Sequence, residues 1–413
     1  MTFLKRKFKW LLIMFMVLML VGIVSSPNAE GAPSDSDGSI RVTLSVKAGY
    51  NIDREDSFSV IRMQDFAMTS SPGDPILPHK LHDILLPPNA LQGTVKLNIV
   101  SAKTRTLDGI FDIKPAGPDA AWIGSELVKT WGDKNIVNNR NVDVYQSDTH
   151  FPKSVVKLLP CSQMRKWKYV RVDFNPFQYN PVSGTLTLTE SVDVEISYGR
   201  ATLAVDGSLM ADTASDNTAA RRFLNYTEAR DWYNAAIPID QPSPTTYDYV
   251  IITTNAIVAN STKLSNFVTH RQGLGYSVLV VTYENDIQSL TGQAPDNRAE
   301  KIRQWLINNY ATMGIEYVLL IGDPHPYESG EGDIPMKMCH PEKHQSNADV
   351  VQTPTDYFYA DLTGNWDIDG DQDYGEWDPD GNGTGYSGDF PVTGGVDFDP
   401  EVYVGRIPVY NNE

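Results

Sequence analysis

The stretch from Tyr247-Asp248-Tyr249-Val250-Ile251-Ile252 to Tyr317-Val318-Leu319-Leu320-Ile321-Gly322 decides the fold. It holds three apolar runs, Tyr249–Ile252, Val278–Val281 and Tyr317–Ile321, each closed by polar residues or glycine. Runs of β-branched residues and leucine bounded in this way read as strands buried on both faces. Between them the spacing predicts two helices. The first starts near Ser261, puts Leu264, Phe267 and Val268 on one face and stops at Gly273 and Gly275. The second is capped by Asp296, carries Ile302, Trp305, Leu306 and Ile307, and ends at Gly314. Strands alternating with helices imply right-handed crossovers and a mainly parallel sheet. Chemistry in such sheets lies beyond the carboxyl ends of the strands. Here those ends carry Thr253 to Asn255, Thr282 to Glu284 and Gly322 to His325, and Val402–Val404 reads as a fourth strand.

Upstream, from Ser39 to about Gly199, the period changes to two. Ile40, Val42, Leu44 and Val46 alternate with polar residues, as do Val170, Val172 and Phe174, and Val192, Val194 and Ile196. Turn signals such as Ser71-Pro72-Gly73-Asp74-Pro75 separate such runs, so residues 33–200 read as an antiparallel β domain. Residues 201–246 form a joint, with one helix expected over Ala219–Tyr233 and Phe223, Leu224 and Trp232 as its apolar residues. Arg221, Arg222 and Arg230 make it either a solvated helix face or a site of proteolytic nicking. Residues 247–413 then hold the α/β part, with an acid-rich segment over 361–401.

The N-terminus has the layout of a secretory signal peptide over residues 1–32: a basic region at Lys5, Arg6, Lys7 and Lys9, then the apolar run Trp10–Val24, then small residues. That run is shorter than the roughly 20 residues that span a bilayer. The expected location is secreted or at the cell surface, with membrane contact only through this segment if it is not cleaved. The chain has 34 Lys+Arg against 52 Asp+Glu, a net charge of -18, which argues against nucleic acid as a partner because phosphate binding needs a basic surface. Two cysteines, Cys161 and Cys339, fall in different parts of the chain and make no disulfide framework.

Order within the acid-rich segment points to a cation. Asp367, Asp369, Asp371 and Asp373 alternate, and Glu376 follows. In Asp378-Pro379-Asp380-Gly381-Asn382-Gly383, with Asp389 at the twelfth place, oxygens at places one, three, five and twelve and a glycine at six match an EF-hand-type calcium loop. Asp378, Asp380, Asn382 and Asp389 are therefore candidate calcium ligands, with Asp367, Asp369 and Asp371 as a second set. The other reading is a solvated acidic loop. A Cys339 nucleophile would need an imidazole in reach. His340 is its chain neighbour, and neighbours on an extended strand point to opposite sides. His325 follows a strand end. No residue is assigned a catalytic role, and no glycine-rich phosphate loop follows any strand.

Several stretches together resemble the gingipain-type cysteine peptidases. In the α/β part these are Gly273-Leu274-Gly275-Tyr276, Tyr317–Asp323, Thr353-Pro354-Thr355-Asp356-Tyr357-Phe358-Tyr359-Ala360 and Gly405-Arg406-Ile407-Pro408. Upstream, Gly73-Asp74-Pro75-Ile76-Leu77-Pro78 and Phe174-Asn175-Pro176-Phe177-Gln178-Tyr179-Asn180-Pro181 resemble the family's propeptide. The resemblance implies a caspase-like α/β fold, proteolysis of protein or peptide substrates by a His–Cys dyad, and bound calcium. The family's His-Gly and catalytic Cys come well after the Gly-Arg motif, and no position here matches either. The expectation is thus the N-terminal portion of a secreted endopeptidase precursor, inactive as it stands. The alternative is a catalytically inactive exported calcium-binding or surface interaction module.

Overall fold

The computed structural model describes residues 38–47, 49–123, 126–132, 134–201, 207–234, 246–326, 332–340, 352–376 and 392–410. The signal-peptide reading and the candidate ligands Asp378, Asp380, Asn382 and Asp389 lie outside the described residues. Among the described residues no helix is long and apolar enough to cross a membrane.

The upstream part is antiparallel, as its period of two predicts. Its strands are β1 Gly38–Ser45, β2 Tyr50–Glu55, β3 Phe58–Met63, β4 Lys80–Leu85, β5 Lys96–Thr106, β6 Asp119–Ile123, β7 Glu126–Thr130, β8 Ile136–Val137, β9 Arg140–Asn141, β10 Val156–Met164, β11 Trp167–Phe174, β12 Phe177–Asn180 and β13 Thr185–Tyr198. One sheet is built on β13, which pairs with β1, β12 and β5; a second has the order β10-β11-β4. The inward residues Leu44, Val192, Val194 and Ile196 of the first meet Ile84, Val170, Val172 and Phe174 of the second in one buried cluster. β13 and β11 thus bury their alternate residues against the facing sheet.

The joint does not form the single helix expected. It breaks into α2 Gly207–Ala211, α3 Asp216–Arg222 and α4 Tyr226–Ala229, after the short α1 Val142–Tyr145 upstream. The break has a local cause. Asn225 uses its side-chain amide to bind both the N–H and the C=O of Leu85, at 2.8 and 3.1 Å. Phe223, extended at the helix end, turns into a buried cluster with Trp167, Tyr169 and Tyr233, while Leu224 and Trp232 stay exposed. The joint therefore packs on the β10-β11-β4 sheet.

The α/β part follows the sequence closely. Strands β14 Tyr249–Thr253, β15 Val278–Thr282 and β16 Tyr317–Gly322 are parallel; then come β17 Lys337–Cys339, β18 Thr353–Thr355 and β19 Tyr403–Pro408. The main sheet has the order β15-β14-β16-β19. Helices α5 Asn255–Asn260 and α6 Leu264–Gly273 cover one face, where Ile257 and Leu264 meet Ile251, Leu319 and Ile321. The other face takes α7 Arg298–Met313, whose Ile302, Trp305 and Leu306 meet Val250, Ile252, Val318 and Leu320. The cap of α7 is Asn297, one residue beyond the Asp296 expected, in a capping box with Glu300. Asp296 sits at φ 64° and accepts the N–H of Gly292 instead. Gly314 ends the helix at φ 71°, where a side chain would be strained.

The two parts meet at the β10–β11 turn. Arg165, at φ 52° in that turn, is 3 % exposed. Its guanidinium pairs with Asp212 and donates to the carbonyls of Glu401 at 2.6 Å, Ile315 at 2.9 Å and Tyr310 at 3.3 Å. Ile315 and Glu401 lie two residues before the amino ends of β16 and β19, so this contact lies at the end of the sheet opposite its carboxyl edge. Arg222 of the joint makes a second bridge, to Asp83 at 2.7 Å and to both oxygens of Asp399 at 2.5 and 3.0 Å. Removing one member of a buried ion pair leaves the other charge uncompensated. Arg165→Ala should therefore lower the unfolding free energy by roughly 3–5 kcal/mol in a denaturant titration. Arg41→Ala, which breaks an exposed pair with Glu195, should leave the midpoint almost unchanged.

Candidate functional site

The carboxyl edge of the parallel sheet is built as the sequence predicts. Thr254 caps α5 by accepting the N–H of Ile257 at 3.2 Å. The next residue, Asn255, donates its N–H to Glu284 at 2.9 Å, and its amide exchanges hydrogen bonds with that of Asn285 at 3.1 Å. The ends of β14 and β15 are thus tied side by side. After β16, Asp323 accepts the N–H of the exposed His325 at 3.0 Å. Arg406 in β19 pairs with both oxygens of Asp356, at 2.8 and 2.7 Å, and donates to the carbonyl of Ile334 at 2.5 Å. Two stretches singled out in the sequence, 353–360 and 405–408, are therefore joined by one bidentate ion pair.

The acid-rich segment divides by environment. Asp361 is fully buried, receiving the N–H groups of Gly364 at 2.8 Å and Asp397 at 3.2 Å and the indole N–H of Trp366 at 2.9 Å. Arg303 of α7 holds the same turn by donating to the carbonyls of Asp361 and Gly364, each at 2.7 Å. Gly364 has no room for a Cβ, which would lie 2.6 Å from the carbonyl of Gly395. Beyond this anchor, oxygens of Asp367, Asp369 and Asp371 lie within 4.8 Å of one another, and so do those of Asp371, Asp373 and Glu376. That is the spread expected of oxygens around one ion at the roughly 2.3–2.6 Å of calcium ligation. The second set named from sequence, Asp367, Asp369 and Asp371, is thus brought together, and Asp373 and Glu376 adjoin it through the shared Asp371. Burial pushes the Asp367 carboxyl above its usual range, and the charges of Asp371 and Asp369 add to this. One imidazole is near: Nε2 of His340 lies 3.6 Å from Asp373.

Cys161 is in β10, where burial pushes its thiol up to about 12, so it stays protonated. Cys339 is buried in β17, with Sγ 4.0 Å from the carbonyl of Lys337. His79, which no sequence motif marks, bridges two elements of the upstream β domain. Its Nδ1 is 2.8 Å from Asp173 and its Nε2 is 2.6 Å from the Thr69 hydroxyl, which pins the 67–72 loop to β11. These partners are about a hundred residues apart, a separation no local spacing reports.

Two family models match the chain, one after the other. A family model described as Propeptide_C25 matches residues 25–231, and one described as Peptidase family C25 matches residues 242–413. Among solved structures, the complex of Porphyromonas gingivalis RgpB pro- and mature domains is similar at 21% identity, covering 47% of this chain and 95% of that one, with a TM-score of 0.33. A structure addressing zymogenic latency of gingipain K from Porphyromonas gingivalis is similar at 16% identity, covering 41% and 96%, with a TM-score of 0.30. No curated protein matches. With a propeptide region followed by a peptidase region, the chain belongs to peptidase family C25, the gingipain-type cysteine peptidases.

Proposed function

We propose that this chain is the amino-terminal portion of a secreted, gingipain-like endopeptidase precursor whose parent cleaves peptide bonds through a cysteine thiolate. One observation carries the reading: the propeptide and peptidase regions occur in precursor order and are docked through the buried Arg165. The sheet covered by helices on both faces supports a caspase-like peptidase domain. Protein or peptide substrates follow from the family, and export follows from the N-terminal layout. Cysteine peptidases need a thiolate held beside an imidazole. Cys161, kept as a thiol inside the propeptide region, does not supply one. Residues 33–413 alone should accordingly leave an unfolded protein substrate intact, as read by release of peptides. Cleavage that disappears in Cys339→Ala would overturn this.

In the same proposal, Asp367, Asp369 and Asp371 bind a calcium ion, with Asp373 and Glu376 completing the oxygen set. Asp378, Asp380, Asn382 and Asp389 hold a second ion. Hard carboxylate oxygens suit calcium better than zinc. A bound cation offsets the burial, and the lesser repulsion from Asp371 and Asp369, that raise Asp367, and it stabilises the folded chain by linkage. Because Asp371 belongs to both oxygen groups, Asp371→Ala should weaken calcium uptake at least about tenfold in calorimetry. Asp108→Ala, exposed in the propeptide region, should change nothing. Absence of calcium uptake at about millimolar concentration by the folded protein would remove the metal reading.

A further inference from the structure

The propeptide region meets the peptidase region along the free edge of β10. One edge of β10 pairs with β11. On the other, the N–H groups of Cys161, Gln163 and Arg165 point outward at every second residue. They are met by side chains at every fourth residue of the acid-rich segment: Thr393 at 3.1 Å, Asp397 at 3.3 Å and Glu401 at 3.2 Å. An exposed strand edge is thus closed by side-chain oxygens rather than by another strand. We propose that Asp397 and Glu401 form a proton-loaded clasp, which holds the propeptide region while they carry protons and loosens when they lose them. As a control on latency this rests on the precursor reading; as a property of the interface it does not.

The charge inventory supports the clasp. Around the two carboxyls stand Asp361 beside them, Asp399 on the same segment, Asp83 on β4 and Asp212 after α2. The cations facing them are Arg165 from the β10–β11 turn, Arg222 from α3, Arg303 from α7 and Arg171 from β11. Six carboxyls share four guanidiniums, and three of these six already have their own: Asp212 has Arg165, Asp399 has Arg222, and Asp83 has Arg171 and Arg222. Arg303 is left for Asp361 and Glu401, Asp397 feels the charge of Arg222, and Tyr357 stands beside all three carboxyls. Asp397 is 9 % exposed and Glu401 3 %. Each carboxyl also accepts an N–H of its own segment through its other oxygen, Asp397 from Asp399 at 2.8 Å and Glu401 from Leu362 at 2.7 Å. An ionised carboxylate so far from water, next to another, is costly, whereas a neutral carboxylic acid still accepts N–H groups, though more weakly at its hydroxyl oxygen. Burial, then the charge of Asp361, pushes Asp397 up to about 7; burial, then Asp361 and Asp397, pushes Glu401 well above the usual range. Docking therefore takes up protons. It is tightest below the ordinary carboxylate range near pH 4, weakens as pH rises towards 7, and weakens further as Glu401 ionises.

The test reads the amides themselves. Hydrogen exchange of the intact chain is followed from pH 5 to pH 8, corrected for the intrinsic pH dependence of exchange, with Val194 in the centre of β13 as reference. One linked proton changes an equilibrium at most about tenfold per pH unit. Protection of the Gln163 and Arg165 amides relative to Val194 should fall at least about tenfold across this range. In Asp397→Asn with Glu401→Gln, which mimics the protonated clasp, the fall should shrink to within about twofold. If the double variant does not fold, Asp397→Asn alone should show a shallower slope than the native chain. Relative protection that ignores pH in the native chain, or falls as steeply in the variants, overturns the clasp. Peptidase activity is not read here, so loss of the clasp leaves the precursor reading standing. Equally, a parent without peptidase activity leaves the clasp standing.

Discussion

The buried guanidinium of Arg165 is the constraint on which the arrangement of the two regions depends. A guanidinium taken out of water needs acceptors for its N–H groups and a counter-charge. Arg165 finds its charge in Asp212 of the joint and its acceptors in the backbone of the peptidase region. The carbonyls of Tyr310, Ile315 and Glu401 come from the end of α7 and the approaches to β16 and β19. Satisfying one side chain therefore fixes the joint, the β10–β11 turn and the amino end of the parallel sheet together. This anchor lies at the opposite end of the sheet from the edge where chemistry is expected.

The acid-rich segment shows how one composition serves several physical ends. Asp361 is a structural carboxyl, enclosed by N–H groups and set against Arg303. Asp399 is half of a bidentate ion pair with Arg222. Asp397 and Glu401 close the edge of β10 by accepting its outward N–H groups. Asp369 and Asp371 stand exposed beside Asp367 and converge with it. Net charge describes all of these equally, yet what each carboxyl does depends on how much water it has lost and which N–H groups replaced that water.

The helical joint makes the same point for backbone. Its residues have helical spacing, but Asn225 offers Leu85 of β4 a side-chain amide that completes two backbone hydrogen bonds at once. That long-range gain outweighs one further turn of helix. Phe223 then fills the aromatic pocket formed by Trp167 and Tyr169. Weak helix propensity yields to tertiary packing where the two compete.

Local pattern determined a good deal of this protein. The apolar runs at Tyr249, Val278 and Tyr317 became adjacent parallel strands, the period of two became antiparallel sheets, and Gly314 ended its helix, because burial and backbone geometry act on neighbouring residues. The order of the resembling stretches gave the family, and the alternating aspartates gave a convergent oxygen cluster, since both are properties of spacing along the chain. What tertiary structure alone decided were the pairings over long separations: Arg165 with Asp212 and Glu401, Arg406 with Asp356, and the amides of β10 with Asp397 and Glu401. Such partners carry no mark in sequence, because desolvation and charge pairing depend on distance in space and not on distance along the chain.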